Sequence, residues 1–126
     1  NNLTDRVFLK GTTNCINEQL EKASIFAFPS LFEGLPLALI EAMSSGLPCV
    51  GLDSCAVVNS IIHDHHNGYL CTSDFRNWAK TLEKLMSSYS LRVTLGKQAA
   101  KDVECFKPEK IWAMWESLLD EVVNRA

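Results

Sequence analysis

Four short apolar runs, Arg6-Val7-Phe8-Leu9, Ser24-Ile25-Phe26-Ala27-Phe28, Pro48-Cys49-Val50-Gly51-Leu52 and Gly68-Tyr69-Leu70-Cys71, alternate with segments of helical spacing. No other feature limits the chain as much. Runs this short, rich in Val, Ile, Phe and Tyr, read as strands buried on both faces. Strands joined through helices are parallel, because a parallel pair needs a long crossover, and such crossovers are right-handed. The expected fold is therefore α/β: a doubly wound parallel sheet of about four strands with helices on both faces.

Helices are expected from Asn17 to Ala23, from Leu37 to Ser45, where Gly46 and then Pro48 stop the pattern, and from Val57 to Ile62. Beyond Cys71 the pattern is wholly helical. Asp74 is placed to cap a helix with Phe75, Trp78, Ala79, Leu82, Leu85 and Met86 on one face, directed at the sheet. Another helix is expected from about Ser90 to Cys105. Pro108 then opens a third, with Ile111, Trp115, Leu118, Leu119 and Val122 on a common face and Trp112 and Met114 off it. So wide an apolar surface suits a second domain as well as the helix's own. With no repeat or linker, residues 1–126 read as one domain, large enough to close a core without disulfides or metal.

Charge and composition remove several classes of function. Twelve Lys plus Arg against 15 Asp plus Glu leave a net charge of −3, with no basic face for nucleic acid. The most apolar stretch, Ser24 to Met43, contains Pro29, Glu33, Pro36 and Glu41 and is no transmembrane segment. Five scattered cysteines without a Cys-x-x-Cys pair, two of them (Cys49 and Cys71) inside apolar runs, point to a reducing, cytoplasmic setting. The sequon Asn2-Leu3-Thr4 is discounted on that ground. The opening residues show no targeting segment, so the chain reads as an excised piece. His63-Asp64-His65-His66 offers imidazoles, but a polar run before the Asn67-Gly68 turn is more simply an exposed loop, and no metal is expected there.

Chemistry concentrates in the segment from Phe28 to Met43, which leaves a strand and opens a helix. Ligands of open parallel sheets bind beyond the carboxyl ends of the strands, where the loop Ser30 to Pro36 falls. Gly34 allows a ligand close to the backbone, and Pro36 suits a helix start. The free N–H groups of that start, with the helix dipole, favour phosphate. Glu33 and Glu41 accept hydrogen bonds only, as hydroxyl-rich sugars require. The plainer possibility is that Glu33 complements the helix dipole and Glu41 is solvated. Against it, Leu37, Leu39, Ile40, Ala42 and Met43 make the helix almost wholly apolar; it is expected to be buried, leaving Glu41 in need of a partner.

The run from Pro29 to Pro48, with Glu33 and Glu41 separated by seven residues, resembles the signature of family 4 (group 1) retaining glycosyltransferases, two-domain enzymes of GT-B architecture. Val7 to Gly11 is similar to the strand and glycine loop that precede the motif, and Asn67-Gly68-Tyr69-Leu70 to the turn and strand that follow it. Leu91 to Gly96 and Pro108 to Val122 are similar to the closing helices. The resemblance implies a Rossmann-like C-terminal half of a GT-B fold that binds a nucleotide diphosphate sugar such as a UDP-sugar, without a metal or other cofactor. It implies that Glu41 accepts from the ribose hydroxyls and that Glu33 holds sugar hydroxyls at the reacting carbon. Backbone N–H groups around Gly34, Leu35 and Pro36 would meet the sugar or diphosphate, although Pro36 itself lacks one where many members have glycine. The loop Gly11, Thr12, Thr13 would lie near the base. Ser60 stands where the family often carries Glu. The acceptor site and the cations that neutralise the diphosphate belong, by resemblance, to an N-terminal domain and to residues upstream. The longer enzyme is expected to transfer a hexose to a hydroxyl acceptor in cell-surface polysaccharide synthesis, with peripheral membrane contact allowed; the chain alone is expected only to bind. Rival expectations are a sugar-nucleotide epimerase of similar architecture and a non-catalytic doubly wound interaction module.

Overall fold

The computed structural model describes residues 3–125, so Asn2 of the sequon lies outside the described residues. In chain order the elements are α1 Ile16–Glu21, β1 Phe26–Phe28, α2 Leu37–Ser44, β2 Cys49–Leu52, α3 Ala56–Ile61, β3 Gly68–Cys71, α4 Phe75–Ser87, α5 Tyr89–Asp102, a 3-10 turn Val103–Phe106, and α6 Pro108–Asn124. The strands form one parallel sheet in the order β1-β2-β3, with Phe26 opposite Cys49 and Cys49 opposite Gly68. The first apolar run, Arg6 to Leu9, is not a strand. Among the described residues it joins no ladder, and Phe8 and Leu9 are 68% and 97% exposed. Apolar content makes a strand only where its N–H and C=O groups find a neighbour, and β1 has β2 on one side alone.

Alternate strand residues point to opposite faces, and the core divides accordingly. On one face Cys49 packs with Leu39, Ile40, Ala42 and Met43 of α2, with Val58 and Ile61 of α3, and with Ala99 of α5. On the other, Val50, Tyr69 and Cys71 meet Leu85 of α4 and Leu95 of α5, with Trp78 and Leu82 at the margin. Helices therefore cover both faces, as the alternating pattern requires.

Asp74 caps α4, its side chain accepting from the Arg76 amide at 2.9 Å. The inward row of this helix is narrower than the sequence stripe: Phe75, Ala79 and Met86 are exposed. A sheet of three strands, none longer than four residues, cannot cover both ends of a 13-residue helix. The end of α2 follows the expected glycine stop. Gly46 takes φ 75°, its amide donates to Met43 O at 2.9 Å, and the Leu47 amide donates to Ala42 O at 3.2 Å, the pairing of a Schellman turn. Gly96 of α5 lies directly on this turn, where a Cβ would stand 1.9 Å from Gly46 O.

Asn67 ties the second crossover to α5. Fully buried, it accepts from the His63 amide through Oδ1 at 2.8 Å and donates through Nδ2 to Ile61 O at 3.0 Å and Asp102 Oδ2 at 2.9 Å. The expected helix from Ser90 to Cys105 ends earlier, at Asp102, and tightens into the 3-10 turn. None of the described residues of α6 is buried, and this helix rests on the 3-10 turn. Its apolar stripe does not pack on the sheet; the 3-10 turn on which it rests packs in turn against α2 and α5.

Candidate functional site

Residues 29–36 carry the chain from the carboxyl end of β1 to α2, where parallel sheets take their ligands. Ser30 Oγ donates to Glu33 Oε1 at 2.5 Å and approaches Phe32 O at 3.2 Å. The half-buried Glu33 carboxylate is thereby held by its own loop through Oε1, and its Oε2 has no hydrogen-bond partner among the described residues. Space around Gly34 is open, since a Cβ there would meet no atom within 4 Å. Leu35 is exposed, and its carbonyl accepts the Leu37 amide at 2.9 Å. Pro36 occupies the N-cap position of α2, which no side chain caps; its carbonyl accepts from the amides of Leu39 and Ile40. The positive end of the helix dipole thus faces the loop without a side-chain acceptor.

Glu41 is exposed, which corrects the expectation that it is buried. Burial in α2 falls on Leu39, Ile40, Ala42 and Met43, while Leu37 is 60% exposed. The helix is covered on part of its circumference, and the row of Leu37, Glu41 and Ser44 stays outside. That row forms one wall of a cleft of about 820 Å³ whose other walls include Asn17 and Glu21 of α1 and Glu104 and Lys107 near α6. Glu33, Gly34, Leu35 and Pro36 do not line this cleft, so the two halves of the motif are linked only through α2. Glu41 lies four positions beyond Leu37, about 6 Å of helical rise.

The loop Gly11, Thr12, Thr13 leads into α1. Gly11 takes φ 70°, a left-handed conformation suited to glycine. Thr12 is exposed, and Thr13 Oγ1 accepts the Cys15 amide at 3.1 Å. The loop therefore delivers α1, with Asn17 and Glu21, to the cleft that Glu41 lines. Sequence reasoning did not single out these two residues or Lys107, because no motif marks them and only the packing of α1 and the 3-10 turn assembles them. Lys107 Nζ donates to Glu104 Oε1 at 3.1 Å, and this hydrogen bond together with the ammonium charge holds the Glu104 carboxyl below its ordinary range. The cleft thus sets Glu21, Glu41 and Glu104 against Lys107. Such a surface attracts hydroxyl donors and repels anions.

Ser60 turns its hydroxyl back to Val57 O at 2.8 Å. The histidine run is an exposed loop: His65 Nε2 lies 3.5 Å from Asp64 Oδ2, and His66 Nε2 lies 3.5 Å from Asp102 Oδ2. Among the described residues no group of three or more His, Cys, Asp or Glu side chains is arranged to hold a metal ion. No helix among them is long and apolar enough to cross a membrane.

The family model described as "Glycosyl transferases group 1" matches residues 1–102. The UDP-Gal:alpha-D-GlcNAc-diphosphoundecaprenol alpha-1,3-galactosyltransferase of Escherichia coli is 29% identical over 126 residues, an alignment covering 98% of this chain and 32% of that protein. Among solved structures, sucrose-phosphate synthase from Thermosynechococcus elongatus superimposes with a TM-score of 0.90 at 23% identity, over 98% of this chain and 32% of that one, a likeness of fold. The pneumococcal O-GlcNAc transferase GtfA, solved in complex with UDP and GlcNAc, gives a TM-score of 0.79 at 25% identity, over 95% of this chain and 25% of that one. The chain spans about a third of the length of the curated relatives it matches first.

Proposed function

Because the chain belongs to the group 1 glycosyl transferases, we propose that it is the donor-binding portion of a longer enzyme that transfers a hexose from a nucleotide diphosphate sugar to a hydroxyl acceptor with retention at the reacting carbon. The observation that carries this reading is the placement of two features on α2: a start with no side-chain cap beside the Glu33 loop, and Glu41 exposed in an acidic cleft further along the helix. The E. coli relative is named for a UDP-galactose donor, and the pneumococcal structure for bound UDP and GlcNAc. Both fit a ligand with a hydroxyl-rich sugar at each end of a diphosphate.

In this arrangement the Glu41 carboxylate accepts from the ribose hydroxyls, and the base lies toward the Gly11 to Thr13 loop. The diphosphate meets the start of α2 and the N–H groups around Gly34 and Leu35. Glu33, held by Ser30, takes hydroxyls of the transferred sugar. The bond from the sugar's anomeric carbon to the diphosphate oxygen breaks, and the oxygen leaves with the electron pair, stabilised by the helix terminus. An acceptor oxygen bonds to that carbon on the same face and passes its proton to the departing diphosphate oxygen. Positioning and charge stabilisation supply the catalysis, and no metal is required. Lys107 is engaged by Glu104, so further cations for the leaving diphosphate come from elsewhere in the longer protein.

Calorimetric titration with UDP, GDP and their sugars tests this reading. Saturable binding of one nucleotide series is expected. Glu41→Ala removes a hydrogen bond to a charged acceptor, which corresponds to roughly a tenfold to hundredfold loss of affinity. Unchanged affinity overturns the ribose assignment. Formation of a glycosylated product by the longer protein separates a transferase from an epimerase or a binding module.

A further inference from the structure

A second polar groove, about 340 Å³, opens between α4 and β3, lined by Asp64, His65, Tyr69, Asn77, Lys80 and Lys84 among others. We propose that it binds a phosphate-type dianion, either a free phosphorylated small molecule or the headgroup of a phospholipid, independently of the cleft at Glu41.

Lys80 and Lys84 stand one helical turn apart and both face the groove. Among the described residues neither has a carboxylate partner. Like charges at this spacing repel, and an anion between them relieves the repulsion. Tyr69, only 6% exposed, organises the floor. Lys84 Nζ sits 4.7 Å from the centre of its ring, and the His65 ring approaches the same ring edge-on at 4.8 Å. The Tyr69 ring therefore contacts both Lys84 and His65 at the groove. His65 adopts φ 62° in the turn that leads into β3, its amide donating to Gly68 O at 2.9 Å.

The one carboxylate in the groove is already committed. Asp64 Oδ1 accepts the Leu70 amide at 2.9 Å, and Oδ2 faces His65 Nε2 at 3.5 Å. Asn77 Oδ1 accepts the Thr72 amide at 3.0 Å, which leaves its Nδ2 as the remaining donor. Two ammonium groups and an amide donor thus line a groove whose acid is paired with His65, in a chain whose overall charge is −3. Lysine serves oxyanions as a point charge, and two of them match a dianion.

The test uses nuclear magnetic resonance titration of the chain with inorganic phosphate. Saturable shifts are expected at His65, Lys80 and Lys84, weakened at least tenfold in Lys80→Gln/Lys84→Gln. The control is Lys97→Gln/Lys101→Gln, a pair with the same spacing on α5 outside the groove, which leaves the shifts in place. Cosedimentation with phosphatidic acid vesicles, against phosphatidylcholine vesicles, separates the two sources: capture of the wild type and not of the groove variant assigns a headgroup, and phosphate binding without capture assigns a free phosphate. Absent shifts, shifts spread evenly over all lysines, or shifts that survive Lys80→Gln/Lys84→Gln overturn the proposal.

Discussion

Replacing Gly96 by alanine sets two physical effects against each other with opposite signs. Gly96 lies inside α5, where alanine is intrinsically the better helix former by about 1 kcal/mol. Helix propensity alone therefore predicts a more stable protein. The added Cβ, however, would stand 1.9 Å from Gly46 O and 2.9 Å from Gly46 C. An ordinary contact lies near 3.5 Å, so α5 must retreat by roughly 1.6 Å. The obstructing atom is a backbone carbonyl in the turn that closes α2, so no rotamer change relieves it. Retreat also pulls buried Leu95 and Ala99 away from the two faces of the core that they bridge. Overpacking costs about 1 to 3 kcal/mol where side chains can yield, and a rigid obstacle belongs at the upper end. The net expectation is a loss of about 2 kcal/mol after the propensity gain. In urea unfolding this lowers the midpoint by about 1 M at unchanged slope. An unchanged or raised midpoint would refute the claim that α5 is seated directly on the α2 turn.

Four further outcomes follow from the structure. Gly34→Ala meets open space, so its stability stays within about 0.5 kcal/mol of the parent, whereas nucleotide titration shows weaker donor binding. Asn67→Ala strips partners from the His63 amide, Ile61 O and Asp102 at once; chemical denaturation should register a loss of about 3 kcal/mol, and a loss below about 1 kcal/mol contradicts its bracing role. Cys15 and Cys105 are exposed while Cys49, Cys55 and Cys71 are buried, so a thiol reagent should label two sites in the folded chain and five after unfolding. Burial raises the Cys49 thiol from 9.0 to about 12. The folded chain keeps that proton longer than the unfolded one, so this thiol's contribution is intact below about pH 9 and declines as pH rises toward 12. Melting curves of Cys49→Ala should show a shallower alkaline decline.

Much of the framework is legible because local signals and tertiary packing agree. Gly46 with Pro48, Asp74 before α4 and Pro108 at the start of α6 each act through their own backbone chemistry, and each element ends or begins within a residue or two of the expected place. Arg6 to Leu9 was misleading because a strand is defined by its neighbour, which periodicity cannot display. The burial of Glu41 was misjudged for a related reason: α2 is apolar almost all round, but the small sheet and α5 cover only part of it. The motif itself was readable from Glu33 to Glu41. The cleft walls contributed by Asn17, Glu21 and Lys107 were not, since residues so distant in sequence meet only after α1 and the 3-10 turn have packed.

The central claim is that the two ends of α2 divide the donor between them, diphosphate at the start and ribose at Glu41. Amide shift mapping of the labelled chain during titration with UDP and with uridine addresses it most directly. The account predicts that both ligands perturb Glu41 and its neighbours on α1, and that UDP alone also perturbs Gly34, Leu35 and Ala38. Shifts from UDP that bypass residues 34–41, or identical patterns from the two ligands, would contradict it.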